Sequence, residues 1–303
     1  MNRQEILDYY NIKPKSIKHK GMATIITTDN KKYVLKEVNK NQDFFNYLQL
    51  RNFNNFPNIY SSNLDKFQLT DYVEDNNIPV DQRLEDLIYL VSILHTKTTF
   101  YKNVDDDYVK EIYENTINKL DKIYKYYNDI QDMIELEVYM TPANYLLIRN
   151  ISNIYLAIRQ SREYIEKWYS IIKNDHRIRC AYIHGNLSSS HLIENSDLYF
   201  ISWDKSRIDL PIYDLEILYR NSFLDISLDS LLEIYQLKYP LKKEELYLLL
   251  SLLLIPDKID LELAEYSKIK QVTNVVLYME KIIFYLKNNT NKTNYDTPHQ
   301  YEN

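Results

Sequence analysis

The spacing of apolar and polar positions changes period near residue 80. Before it the apolar residues tend to alternate. Met22 to Thr28 is an apolar and β-branched run entered through Gly21, and Thr28-Asp29-Asn30 supplies turn residues. Lys32 to Val38 follows, with Tyr33 and Leu35 on one face and Val34, Lys36 and Val38 on the other. The two runs read as a hairpin. A helix is expected over Asp43 to Phe53 and a further strand over Phe67 to Val73, ending in the polar turn Glu74 to Asn77.

After residue 80 the period becomes helical. Pro79-Val80-Asp81 opens a helix reaching about His95, with Leu84, Leu87, Ile88, Leu90, Val91 and Leu94 at helical spacing. Asp105-Asp106-Asp107 is an acidic helix start, favourable to the macrodipole, and the helical stretch behind it runs to about residue 138. Thr141-Pro142 is a start signal, an N-cap threonine followed by proline at the first helical position. The helix it opens could extend to Asn174 and would be roughly 50 Å long. Ile178 to Ile183 and Leu198 to Trp203 are short strand-like runs, and helices are expected over about 212–222, 227–237, 241–254 and 259–286. The polar stretch from Asn288 to Asn303 reads as a disordered tail.

Composition narrows the class. The 303 residues are 45% hydrophobic and 26% charged, an ordinary globular balance, with a net charge of −6 that favours neither nucleic acid nor an anionic membrane as partner. The longest apolar run, Leu246 to Pro256, is too short to span a bilayer and reads as a buried helix. Met1-Asn2-Arg3-Gln4-Glu5 leads into a polar helix and is no secretory signal. With Cys180 as the single cysteine, no internal disulfide can form, and a cytoplasmic location is expected. Thirty tyrosines reflect AT-rich codon usage rather than a cross-linking role. The two glycines, Gly21 and Gly185, change the picture more: a glycine-rich phosphate loop cannot be built anywhere in this chain.

The order of parts carries a resemblance. Strands, a lysine on a strand, a helix ending in Leu94-His95 and a long helical insert are followed by Tyr182-Ile183-His184-Gly185-Asn186 with His191 five residues on. Phe200-Ile201-Ser202-Trp203-Asp204 and Pro211-Ile212-Tyr213-Asp214-Leu215 come next. This layout resembles the aminoglycoside phosphotransferase and choline kinase group, and within it the spore-coat protein S family. Leu254-Ile255-Pro256-Asp257-Lys258 is similar to a late helix end of that family. The resemblance implies an α+β fold of the protein-kinase-like, two-lobed kind. A small N-terminal antiparallel sheet lobe is expected over 1–78. A large, mostly helical C-terminal lobe is expected over 79–287, with a long helical insert at about 104–175, before the tail at 288–303.

The same resemblance implies roles for particular residues. Phosphoryl transfer needs positioned phosphates, Mg²⁺ and a carboxylate near the attacking hydroxyl. The family supplies that carboxylate from His-Gly-Asp, where this chain has Asn186, which cannot take a proton near neutral pH. The family's metal-binding asparagine corresponds to His191, whose imidazole suits Mg²⁺ poorly, and its principal metal aspartate to the neutral Ser202. Two readings stand for Asp204: a substitute metal ligand on the same strand face as Ser202, or a strand-end carboxylate paired with Lys205 or Arg207. Two stand for Lys36 as well, the phosphate-contacting lysine or a lysine snorkelling at a strand edge. The helix that should offer a glutamate to that lysine offers only Asp43, better explained as a helix-start residue. The segment Thr70 to Glu74, with Tyr72 and Val73, is where adenine binds in active relatives. Asp214 fits the family aspartate that braces the catalytic-loop backbone.

Three functions follow as expectations: an inactive kinase-fold protein with a structural or binding role, set in the cytoplasm or spore coat with other coat proteins as partners; a phosphotransferase using Asp204; or a module that binds ATP or another small molecule, with weak or absent Mg²⁺, without turnover. Neither nucleic acid nor a membrane is expected as a partner.

Overall fold

The computed structural model describes residues 3–37, 42–64, 67–76 and 78–293. In chain order the elements are α1 (Arg3–Tyr9), β1 (Ser16–Lys20), β2 (Ala23–Thr27), β3 (Lys32–Glu37), α2 (Gln42–Leu50), β4 (Ile59–Leu64), β5 (Phe67–Asp71) and α3 (Val80–Thr98). They continue with β6 (Phe100–Asn103), α4 (Asp106–Glu135), α5 (Pro142–Ile172), β7 (Arg177–Ile183), β8 (Leu192–Glu194), β9 (Leu198–Phe200) and β10 (Arg207–Asp209). The chain then runs through α6 (Ile212–Ser222), α7 (Leu228–Gln236), α8 (Lys243–Leu253) and α9 (Glu265–Thr293). Two compact units result. The first holds residues 1–100, 181–214 and 237–239, and the second holds 101–180, 215–236 and 240–303. This grouping keeps α3 with the N-terminal sheet, whereas the sequence reading set the lobe border at residue 78.

The first unit is built on an antiparallel sheet of order β1-β2-β3-β5-β4. Alternation along β2 and β3 gives the sheet two distinct faces. Ile26 and Leu35, with Leu69 of β5, are buried against Ile6, Leu7 and Ile12. Ile25 and Val34 are cross-strand partners on the opposite face. The hairpin expected at 22–38 is therefore present as β2 and β3, though Val38 lies outside the described residues. Gly21 sits in the turn before it, between β1 and β2, at φ 58°. Sequence reasoning missed β1 because Ser-Ile-Lys-His-Lys is exposed along its whole length and carries no apolar alternation.

The second unit is helical. On α4 the buried positions Leu120, Ile123, Tyr127, Ile130 and Ile134 repeat every three or four residues. They pack with Leu147, Ile154 and Ile158 of α5 and with Val272, Val275 and Val276 of α9. The predicted starts of α4 and α5 are seated as expected. Asp105 accepts from the Tyr108 amide at 2.9 Å and Thr141 from the Asn144 amide at 3.3 Å. The apolar run at 246–256 is the buried side of α8 and the segment after it. Among the described residues no helix is long and apolar enough to cross a membrane.

Several boundaries move. α4 ends at Glu135 instead of about 138, and α9 starts at Glu265 instead of about 259. The stretch expected as a tail from Asn288 is helical as far as Thr293, and 294–303 lie outside the described residues. The run Leu198 to Trp203 is a strand only to Phe200. Ser202 takes the left-handed conformation at φ 65°, and a 3₁₀ turn follows over Trp203–Lys205. The strand geometry that placed Ser202 and Asp204 on one face is therefore replaced by a tight turn.

Candidate functional site

The turn at Gly185 is the organising element of the site. It has φ 73°, and a Cβ there would collide with the Lys205 carbonyl, so only glycine fits both the conformation and the space. Fully buried Asp214 holds the turn from behind. Its carboxylate accepts from the backbone amides of His184 and Gly185, each at 2.7 Å, and from His95 Nε2 at 3.1 Å. Burial would raise the Asp214 pKa. The hydrogen bond and charge of His95, with His184 and the Gly185 amide, outweigh it and hold the carboxyl below its ordinary value. The bracing role expected of Asp214 thus has its contacts in place, and His95 joins it as a partner that sequence spacing did not reveal.

His184 is buried, and that burial pushes its imidazole below the usual histidine range. Its Nε2–H donates to the Ile201 carbonyl at 2.9 Å, while its Nδ1 has no hydrogen-bond partner. His191 donates from Nδ1 to the Asn186 carbonyl at 2.6 Å, and its own carbonyl accepts from the Ile201 amide at 3.0 Å. The loop 184–191 is thereby tied to itself and to the end of β9.

Beside this loop lies a cavity of about 550 Å³, lined wholly by residues of the first unit. Lys36, Tyr72, Val73, His191, Ser202 and Asp204 all line it; Asn186 does not. Lys36 Nζ forms an ion pair with Asp204, and both side chains are partly buried. The expected pairing of Asp204 with Lys205 or Arg207 is therefore corrected: the tight turn after Ser202 carries the carboxylate to Lys36. A carboxylate on the 3₁₀ turn thus pairs with the strand lysine. α2 contributes aromatic packing, with Phe44 and Phe45 against Trp203.

The segment after β5 is firmly held. Asp75 accepts from the Arg83 guanidinium at 3.0 Å and from the Glu194 amide at 3.0 Å. The Asn76 amide donates to the Glu194 carbonyl at 2.7 Å, and Arg83 also reaches the Leu192 carbonyl at 2.9 Å. Asp71, at the end of β5, accepts from Tyr60 at 2.7 Å and from Lys31 at 2.9 Å. Burial opposes the charge of both carboxylates, yet these partners keep both pKa values below the ordinary one. Sequence reasoning passed over Arg83 because its partners on β8 lie more than a hundred residues away.

The donors offered to a metal are few. Asn186 carries an amide, His191 an imidazole and Ser202 a hydroxyl, while the Asp204 carboxylate already faces an ammonium. No group of three or more His, Cys, Asp or Glu side chains able to hold a metal occurs among the described residues.

The fold these elements build is that of the small-molecule phosphotransferases. An aminoglycoside phosphotransferase from Alicyclobacillus acidocaldarius superposes with a TM-score of 0.73 at 11% identity, over 97% of each chain. A spectinomycin phosphotransferase, solved with ADP and spectinomycin, superposes with a TM-score of 0.51 at 12% identity, covering 93% of this chain and 99% of that one. A choline kinase from Streptococcus pneumoniae covers 91% of this chain and 90% of its own, with a TM-score of 0.47 at 16% identity. At these identities the likeness to the two antibiotic phosphotransferases is one of fold. No family model and no curated protein matches the sequence.

Proposed function

We propose that this chain is a kinase-fold protein of the phosphotransferase superfamily that has lost phosphoryl transfer and acts as a binding or structural protein. The observation that carries the reading is the Lys36–Asp204 ion pair in the cavity, which His191 and Ser202 also line, while Asn186 at the base position does not. A general base contributes about 10²–10⁴ in rate, and Asn186 cannot serve as one. Mg²⁺ asks for near-octahedral oxygen ligation. An imidazole, a hydroxyl and a carboxylate engaged by Lys36 do not fit it. The motif layout around His184-Gly185-Asn186 resembles the spore-coat protein S branch. That resemblance supports spore assembly as the setting, in the cytoplasm and then on the coat, with other coat proteins as partners.

The test is turnover. Purified protein is incubated with ATP labelled on the γ-phosphate and with Mg²⁺ or Mn²⁺, and phosphate release and transfer are followed. The expected result is no release above a protein-free control, and none from Asn186→Asp, because neither metal position regains a carboxylate. Metal-dependent release that disappears in Asp204→Ala would instead establish a working phosphotransferase using Asp204.

A further inference from the structure

The hairpin that joins α4 to α5 turns apolar side chains toward water. Leu136 is 86% exposed, Val138 87% and Tyr139 90%, and the flanking Met133, Met140 and Tyr145 are exposed as well. A contiguous apolar surface of this kind marks an interaction site. The same stretch is acidic. Between Lys125 and Arg149 it holds Asp129, Asp132, Glu135 and Glu137 and no cation. Three of these carboxylates have neutral amide partners: Asn128 donates to Asp132 at 3.3 Å, Gln131 to Glu135 at 2.8 Å and Asn144 to Glu137 at 2.8 Å. Lys258 reaches the stretch over the Tyr126 ring and Glu265 at the Ala143 amide, so counting both leaves five carboxylates against one cation.

The first unit carries a surface of the opposite charge. Lys97 of α3 donates to the Asn52 carbonyl just past α2, and the Thr96 hydroxyl donates to the Lys238 carbonyl at 2.9 Å. The ends of α2 and α3 and the segment 237–239 therefore lie side by side. Leu50 is 83% exposed there and Leu237 72%. Arg51 lies over the Tyr47 ring and Lys238 over the Tyr89 ring, 5.4 and 5.7 Å from the centroids. Among the described residues, the partners of Arg51, Lys97 and Lys238 are thus rings and a carbonyl rather than carboxylates. The sequence holds no carboxylate over 44–64, 87–100 or 237–239.

We propose that these two surfaces bind each other between copies of this chain, the acidic tip of one copy docking on the basic surface of the next. Tip against tip would bring carboxylates together, and basic surface against basic surface would bring cations together. Like charges facing each other oppose both two-fold pairings. An anionic lipid surface is repelled by the same carboxylates. Tip against basic surface joins opposite charges and covers apolar side chains on both sides. Because the two copies contribute different patches, the contact repeats from copy to copy into a ring or an open filament. The proposal goes beyond the cavity and does not depend on whether the chain transfers phosphate.

Sedimentation velocity on the full chain tests it. At low ionic strength the weight-average mass of the wild type is expected to rise with concentration up to about 100 µM, the range that reports micromolar dissociation constants. In about 1 M salt, where the Debye length is about 3 Å, association is expected to weaken at least about tenfold. Val138→Asp with Tyr139→Asp disables the tip, and Arg51→Glu with Lys238→Glu disables the basic surface; all four side chains are exposed, so neither pair disturbs the core. Each double variant alone is expected to stay monomeric. Mixed in equal amounts, they are expected to form a one-to-one dimer and nothing larger, because each keeps the surface that the other lacks. A wild-type chain that stays monomeric, as it would if the tip served another protein or a membrane, overturns the proposal. So does association that salt leaves unchanged, association that persists in either double variant alone, or failure to pair in a mixture of variants that melt like the wild type. The wild-type series in concentration and salt decides the matter even if a variant misfolds.

Discussion

His184 and Asp214 set the acid sensitivity of the first unit. Burial lowers the His184 pKa, so the folded chain resists protonating a ring that the unfolded chain protonates near pH 6.5. A group with a depressed folded pKa contributes stability above its unfolded pKa and loses it as the pH falls. For His184 the loss therefore begins near pH 6.5; for Asp214, whose folded pKa is also depressed, it begins only below about pH 4. The melting temperature is expected to fall as the pH is lowered from 7 to 5, and His184→Gln to flatten that slope. A slope unchanged in the variant would mean that the ring is not buried in its neutral form. At this scale the motif residues were legible, because His184, Gly185 and Asp214 are recognisable from their order alone. The partners that hold them were not. His95 lies 119 residues from Asp214, and Lys36 lies 168 from Asp204. A contact across such a separation leaves no periodic trace.

Elements divide in the same way between what is local and what is not. The start of α4 was readable because an N-cap is a local device, and Asp105 does accept from the Tyr108 amide. Losing that cap in Asp105→Ala is expected to cost about 1 kcal/mol. Ile130 is buried in the cluster shared by α4, α5 and α9, so Ile130→Ala is expected to cost about 3 kcal/mol through lost burial and a residual cavity. Urea melts of the two variants check this order; equal losses would show that α4 is held by its own propensity rather than by packing. Short strands were less legible. β1 is exposed throughout, and β8, β9 and β10 have three residues each, too few to display a period of two. The turn at Ser202 was hidden because a left-handed serine has no distinctive sequence signature. That one backbone angle ended the strand early and redirected Asp204.

For the whole molecule, order of parts was the stronger signal. A sheet, a long helical stretch and a His-Gly turn predicted the phosphotransferase fold, and the likeness to the Alicyclobacillus enzyme extends over 97% of both chains at 11% identity. A fold can outlast its chemistry because packing is spread over dozens of positions while transfer rests on a few side chains. Here Gly185 and Asp214 shape the loop, and the proposal that transfer has been lost rests on Asn186, His191 and Ser202 standing near it without a carboxylate. On the proposed function this cavity does not assemble a metal–triphosphate site. The most direct test is the melting temperature of the wild-type chain and of Asp204→Ala, each titrated with ATP in the presence and absence of Mg²⁺. A ligand that binds only the native state must raise it. Mg²⁺ is expected to add nothing to any effect of ATP in either protein. A Mg²⁺-dependent rise in the wild type that is lost in Asp204→Ala would contradict it.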